Sequence, residues 1–232
     1  MHTHYSVVIP AYNEEEAIGG LYRSLKEVMD GAARPYEIIF VDDASTDSTR
    51  QLLEDISASD DAVRPVCFPE NRGQSEAFAE GFRRAQGEIV ISLDADLQND
   101  PRDIPRLLEK LEEGYDVVCG WRRERKDSAG VRLLSKVANI SRRIILGEKI
   151  HDVCCALRVY RSTVLKNLNL SDGMYFMLTG ILLARGCRIG EVVVNHRPRE
   201  TGESKFNLSV RLPMAALLFR YLLHKGRYVK TG

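Results

Sequence analysis

The stretch Glu88-Ile-Val-Ile-Ser-Leu-Asp94-Ala-Asp96-Leu-Gln98 runs from an apolar segment straight into two carboxylates. A short apolar run after Gly87, rich in Ile and Val, reads as a buried strand. The same design recurs upstream. Ser6-Val-Val-Ile-Pro10 opens onto Ala-Tyr12-Asn-Glu14, and Glu37-Ile-Ile-Phe-Val41 ends in Asp42-Asp43. Residues 63–68 and 116–119 read as two more strands. Helical patterns fall between the strands, at residues 14–29, 48–56, 74–85 and 104–112. The first carries its stripe on Ile18, Leu21, Leu25 and Val28, and Ser45 or Asp47 is placed to cap the second. Repeated strand–helix units with nearly continuous apolar strands predict an α/β fold. Its mostly parallel central sheet is covered by helices on both faces.

Past Gly120 the pattern loosens. Residues 132–146 read as an amphipathic helix, 156–160 as an edge strand, 175–184 as a helix and 188–194 as a strand. A polar, basic loop follows at 196–205, then a helix at 208–224 with Pro213 near its first turns. The expected organisation is one domain over residues 1–207 and a C-terminal amphipathic helix and tail over 208–232.

Bulk composition excludes several classes. Lys plus Arg and Asp plus Glu both number 33, so overall charge suggests no nucleic-acid partner. The five Cys include no C-x-x-C pair, and Cys154 and Cys155 are adjacent. They read as reduced, small buried hydrophobes in a cytoplasmic setting. Met1-His2-Thr3-His4 leads directly into the first strand, without a secretory leader. The longest late apolar stretch, 214–219, is far shorter than the ~20 residues of a spanning helix. The expectation is a protein that does not cross a membrane.

In open parallel sheets, ligands bind beyond the carboxyl ends of the strands. Here those ends are acidic. Asp94 and Asp96 are hard oxygen ligands two positions apart, with Gln98 able to add an amide oxygen. That set suits Mg²⁺ or Mn²⁺ shared with phosphate oxygens. Asp43 and Glu14 are placed to contact a nucleotide. Neither G-x-G-x-x-G nor G-x-x-x-x-G-K-[ST] occurs, which argues against dehydrogenases and P-loop kinases. Two basic segments fit phosphate oxygens. One holds Arg122, Arg123, Arg125 and Lys126, with Arg132, Ser135 and Asn139 beyond. The other holds Arg197, Arg199 and Lys205. Asp152 is a spare carboxylate whose role stays open between base, acceptor contact and helix cap. His151, His196 and His224 show no ligand spacing and read as structural or surface residues.

Together these segments resemble the family 2 glycosyltransferases of the GT-A fold. The matching pieces are Val8-Ile-Pro-Ala-Tyr-Asn-Glu14, Val41-Asp-Asp-Ala-Ser-Thr-Asp47, Asn71-Arg-Gly-Gln74, and Asp94-Ala-Asp-Leu-Gln98 with Pro101. Gly120-Trp-Arg122 and Gly202-Glu-Ser-Lys-Phe-Asn207 narrow the likeness to polyprenyl-phosphate sugar transferases, dolichol-phosphate mannose synthases among them. The resemblance implies a Rossmann-like nucleotide-binding half joined to an acceptor half. It implies that Pro10, Tyr12, Glu14 and Asp43 hold the nucleoside and that Asp94, Asp96 and Gln98 bind the metal, with Ala95 between them at the donor. Arg122, Arg132 and Ser135, with Asp152 nearby, would meet the acceptor. Arg199 and Lys205 would meet phosphates of donor or acceptor. Many members carry membrane-spanning helices after this domain, and this chain resembles either a spanless form or one trimmed before those helices.

The implied reaction is inverting, metal-dependent transfer from a GDP-mannose or UDP-hexose type donor to dolichyl or undecaprenyl phosphate. Asp94, Asp96 and Arg122 would be the catalytic set. Leu208, Leu212, Ala215, Leu218, Phe219 and Leu222 line one face of the last helix, beside Arg211, Arg220, Lys225, Arg227 and Lys230. That face suits an anionic membrane surface, or equally packing on the body of the protein or on a second subunit, whether another copy or a separate anchoring subunit. A saccharide acceptor is the main alternative and would need a carboxylate base, for which Asp152 is the candidate. A nucleotidyltransferase would place a glycine-rich basic loop where Pro10–Glu14 stands. A non-catalytic nucleotide-binding module would not need the Asp94/Asp96 pair.

Overall fold

The computed structural model describes residues 3–123, 150–168, 170 and 173–198. In chain order the elements are β1 (Tyr5–Ala11), α1 (Glu15–Gly31), β2 (Tyr36–Asp42), α2 (Thr49–Ser59), β3 (Val63–Cys67), α3 (Gln74–Arg84) and β4 (Ile89–Ser92). A 3₁₀ turn (Pro101–Asp103) leads into α4 (Ile104–Glu112), then β5 (Val117–Trp121), β6 (Arg158–Arg161) and the short α5 (Ser162–Leu165). A second 3₁₀ turn (Met174–Met177) leads into α6 (Leu178–Ala184), and β7 (Ile189–Val193) completes the series.

Among the described residues, seven strands form one sheet in the order β3-β2-β1-β4-β6-β5-β7. Only β6 runs against its neighbours β4 and β5; the other pairings are parallel. Alternate strand residues enter two separate cores, as the strand period of two demands. Val7, Ile9, Ile38, Phe40 and Val118 pack with the stripe of α1 (Ile18, Leu21, Leu25, Met29) and with Leu53, Leu107 and Leu111. Val8, Ile39, Val41, Val117 and Cys119 pack on the other side with Ala77 and Phe78 of α3 and with Leu178 and Leu182 of α6. The sheet is thus covered on both faces, and the fold is the expected α/β class with a mostly parallel central sheet.

Two features differ from the sequence expectation. The strand placed at 156–160 as an edge strand is β6, and it lies inside the sheet between β4 and β5. Its core-facing Arg158 explains the misreading, because a charged residue on a four-residue strand suggests a solvent edge. The helix placed at 175–184 begins as a 3₁₀ turn and becomes α-helical only at Leu178. The helices expected at 132–146 and 208–224, and with them the 208–232 tail, lie outside the described residues. Among the described residues no helix is long and apolar enough to cross a membrane.

The chain order reverses at β1: β2 and β3 build to one side and β4 to the other. β1 pairs with β4 only from Tyr5 to Val8, but with β2 as far as Ala11. Leu93 N donates to Val8 O, and Asp43 N donates to Ala11 O. Alternate β1 residues therefore face β4 and β2, and Pro10 faces β4, beyond the last β1–β4 pair. A proline inside a central strand is tolerated because its missing N–H falls where the ladder has ended. The parting of β1 and β4 opens the crevice where α/β sheets take ligands.

Candidate active site

The rim of the crevice is a set of knitted loops. Asn13 Oδ1 accepts from Thr46 N at 2.8 Å, and Asn13 N donates to Ser45 Oγ at 2.9 Å. Glu14 N donates to Thr49 Oγ1 at 2.8 Å. Asp47 accepts from Thr49 N at 3.0 Å and from Glu15 N at 3.3 Å, so one carboxylate caps the starts of α2 and α1 together. Asp43 is buried and braces the next loop, accepting from Arg72 N at 2.6 Å and Gly73 N at 2.8 Å. Burial raises its pKa, and those two N–H groups oppose the rise. Tyr12 and Glu14 sit half-buried on the same rim.

Three non-glycine residues on this edge hold positive φ: Asn13 at 51°, Ala44 at 60° and Leu97 at 60°. They follow β1, β2 and β4, three adjacent strands. Each such conformation costs on the order of 1–3 kcal/mol and tends to mark a functional edge. Leu97 forms part of the tight turn that carries Asp96, whose Oδ1 accepts from Gln98 N at 3.1 Å. Asp94 Oδ1 accepts from Gln74 Nε2 at 2.7 Å, so the first residue of α3 orients the first carboxylate of the pair.

Asp94 is pushed up to about 7. Burial is the largest cause, followed by the charge of Asp96; Arg122 and Arg158 oppose it, and Glu14 adds to it. Two carboxylates that repel each other in this way are stabilised by a cation. Among the described residues no third His, Cys, Asp or Glu joins them as a metal cluster. The set fits an ion that takes its remaining ligands from phosphate and water, as Mg²⁺ and Mn²⁺ do, and does not fit a closed all-protein cage.

Across the crevice, the residue after β5 is Arg122. Its Nε and Nη2 donate to Asp152 Oδ2 and Oδ1 at 2.7 and 3.0 Å, a two-pronged ion pair. Burial works against the Arg122 charge, and Asp152 more than offsets it, holding the guanidinium protonated above its usual range. Gly120 is needed here, because an added Cβ would lie 2.9 Å from Cys155 Sγ and 3.0 Å from Leu157 O. All five cysteines are free, and Cys119 and Cys155 are buried. Burial pushes the Cys155 thiol up to about 12, consistent with an inert packing role.

The structure brings Pro10, Tyr12, Glu14, Asp43, Asp94, Ala95, Asp96, Gln98, Arg122 and Asp152 to one sheet edge. Arg132, Ser135, Arg199 and Lys205 lie outside the described residues. Arg197, grouped by sequence with the phosphate binders, instead pairs with Asp100 at 2.6 Å while its N–H donates to Gln98 O. It ties the late segment to the carboxylate loop. Sequence reasoning missed Gln74 as a partner of Asp94 and Glu191 as a partner of the 151–152 backbone.

An acidic switch-point crevice in place of a glycine-rich loop marks an α/β protein of the GT-A class. Residues 6–168 match the model described as Glycosyl transferase family 2, and the chain belongs to that family. It is 41% identical over 205 residues to the undecaprenyl-phosphate 4-deoxy-4-formamido-L-arabinose transferase of Pseudomonas fluorescens, spanning 87% of this chain and 60% of that protein. It is 35% identical over 234 residues to the dodecaprenyl-phosphate galacturonate synthase of Rhizobium johnstonii, spanning 96% and 69%. Glucosyl-3-phosphoglycerate synthase from Mycobacterium tuberculosis, in complex with Mn²⁺ and uridine-diphosphate-glucose, is similar with a TM-score of 0.70 and 25% identity, over 94% of this chain and 79% of that one. The chain spans 60% of the length of the first of these relatives.

Proposed function

We propose that this chain transfers a sugar from a nucleotide-sugar donor, of the GDP-mannose or UDP-hexose type, to a polyprenyl phosphate, with inversion at the anomeric carbon. One observation carries this reading: the Asp94–Asp96 turn, with Asp94 oriented by Gln74 at 2.7 Å, stands at the same sheet end as Tyr12, Glu14 and Asp43 on one side and the two-pronged Arg122–Asp152 pair on the other. The names of the relatives support a polyprenyl-phosphate acceptor.

In this reading Pro10, Tyr12, Glu14 and Asp43 hold the nucleoside. Asp94 and Asp96, with Gln98, would hold Mg²⁺ or Mn²⁺, which supplies Lewis-acid stabilisation to the departing diphosphate. Gln74 fixes the orientation of Asp94. Arg122, kept charged by Asp152, attracts the acceptor phosphate, and Arg132, Ser135, Arg199 and Lys205 complete the phosphate contacts. A phosphate monoester is already anionic and needs placement more than deprotonation. Asp152 favours this acceptor over a saccharide hydroxyl, since its carboxylate is engaged by Arg122 and Cys154 N and is poorly disposed to act as a base. The protein works on the cytoplasmic membrane surface, and residues 208–224 supply the amphipathic contact. Removing residues after Lys205 then abolishes binding to anionic vesicles, and undiminished binding removes the membrane contact.

The test is transfer from UDP- and GDP-sugars to polyprenyl phosphate with Mg²⁺, Mn²⁺ or chelator. The expected result is metal-dependent transfer that falls by about two to three orders of magnitude or more in Asp94→Ala and Asp96→Ala, the scale of losing one preorganised electrostatic group. Full transfer by either variant in excess chelator removes the reading.

A further inference from the structure

The buried face of the acceptor side depends on a residue that no sequence motif singles out. Glu191 lies in the middle of β7, opposite Cys119 of β5. Its side chain is 15% exposed and turns toward the 150–152 segment. Oε1 accepts from His151 N at 2.7 Å and from Asp152 N at 3.3 Å. Oε2 meets His151 Nδ1 at 2.8 Å. The His151 ring stacks on Trp121, with centroids 4.2 Å apart and planes at 16°. Trp121 immediately precedes Arg122, and Arg122 forks onto Asp152. A closed circuit results: Glu191 to His151, His151 to Trp121, Trp121 along the chain to Arg122, Arg122 to Asp152, and Asp152 back to Glu191.

We infer that Glu191 is a positioning residue of the acceptor site, setting the Arg122–Asp152 pair through the 151–152 backbone and through the His151–Trp121 stack. This rests on the acceptor reading proposed above. The physical case is one of geometry. A guanidinium recognises phosphate only if its plane is held, and Asp152 holds that plane only if its own backbone is held. Glu191 does so with one oxygen on two backbone N–H groups and the other on an imidazole. On this account Glu191 touches neither donor nor metal, so its loss is confined to the acceptor side.

Trp121 is the single tryptophan of the chain, so its emission reports on this circuit directly. The experiment uses the full chain and three variants: Glu191→Ala, Glu191→Gln and His151→Ala. KM is measured for polyprenyl phosphate and for the donor separately, alongside Trp121 emission and binding of the nucleoside diphosphate with Mn²⁺. Glu191→Ala is expected to raise the acceptor KM about tenfold or more, the scale of a lost supporting contact around a site. Donor KM and nucleotide binding stay within about twofold. Glu191→Gln, which keeps an oxygen for the two N–H groups, restores most of the acceptor KM. Trp121 emission shifts in Glu191→Ala and His151→Ala, and less in Glu191→Gln. An unchanged acceptor KM in Glu191→Ala overturns the inference, and so does an equal rise in donor KM. Should Glu191→Ala not fold, Glu191→Asp, which withdraws the carboxylate by one methylene, carries the same comparison. Wild-type protein that transfers no sugar to polyprenyl phosphate overturns the acceptor reading instead. In that case shifted Trp121 emission with intact nucleotide binding still upholds the circuit itself, and unshifted emission overturns both.

Discussion

At the scale of the residue, Asp94 carries the pH dependence of the site. Burial first, and Asp96 second, push its carboxyl up to about 7. Above that pH the metal-free protein holds a carboxylate ready for a cation; below it, a proton must leave before the cation binds. Mn²⁺ affinity should therefore fall about tenfold per pH unit below 7 and level off above it. Calorimetric titration across that range checks this, and a flat profile would contradict it. The same raised value is a stability cost in the metal-free protein. It is absent below the ordinary Asp range and grows as pH rises to about 7. Asp94→Asn should then raise Tm in chelator, and by more at about pH 8 than at about pH 5. The carboxylate pair was legible in the sequence because its spacing and its place after an apolar strand both lie within eleven residues. Gln74, quoted in the Asn71–Gln74 piece, was not legible as a partner of Asp94, and Glu191 was not legible at all. They reach the site from 20 and about 40 positions away, and nothing local to either marks the contact. His151 is the structural or surface residue that the sequence suggested, but its stack on Trp121 was not legible, since it exists only once β5 and the 150–152 segment are adjacent.

Elements explain how these residues are held. Both α1 and α2 lack a hydrogen bond from their own N-cap side chain. Asp47 serves both instead, and burial of its carboxyl is outweighed by hydrogen bonds from the Thr49 hydroxyl and the Thr49 and Glu15 N–H groups. Its pKa is lowered, so its contribution is present above the ordinary Asp range and is lost as pH falls through the lowered value. Asp47→Ala should cost ~1 kcal/mol at neutral pH. Urea unfolding over a series of pH values from neutral into acid tests this, because the gap from wild type should narrow as pH falls below the ordinary Asp range. Gly120 makes the complementary point on β5. An alanine there meets Cys155 Sγ, Leu157 O and Val194 Cγ2 within 3.0 Å, and the carbonyl cannot turn away. Gly120→Ala should cost about 1–3 kcal/mol by overpacking. It should also lower transfer by displacing the strand end that carries Arg122, seen as a fall in both Tm and kcat. The strand–helix alternation through β5 was plain in the sequence because long apolar runs and stripes specify their own element. The place of β6 was not, since four residues bounded by Arg158 and Arg161 say nothing about their neighbours. Its neighbours are set by the return of the chain from residues after β5 into the gap beside β4.

At the scale of the molecule, the described sheet divides at β1 and β4, where the crevice opens. The β3-β2-β1 side presents Tyr12, Glu14 and Asp43, and the β4-β6-β5-β7 side presents the Asp94 loop, Arg122 and Asp152. On the proposed reading a donor bound in the crevice touches both sides, so its binding energy should add to the stability of the entire sheet and not to one half. Binding to the native state alone adds ~2.7 kcal/mol when free ligand is 100 times Kd. For a chain of 150–250 residues each kcal/mol moves Tm by about 2–4 °C. The expected shift is roughly 5–10 °C for the correct nucleoside diphosphate sugar with Mn²⁺. Chelator should remove most of it if the diphosphate is held through the metal. Asp94→Ala and Asp96→Ala should lose that metal-dependent part while keeping the small shift due to the nucleoside. Glu191→Ala should keep the whole shift, because it acts only on the acceptor side. A single cooperative transition that moves as one unit supports a shared crevice. Two transitions, with only one moved by donor, would mean that the two sides of the sheet fold and bind separately, and that the crevice between them is not a shared donor site.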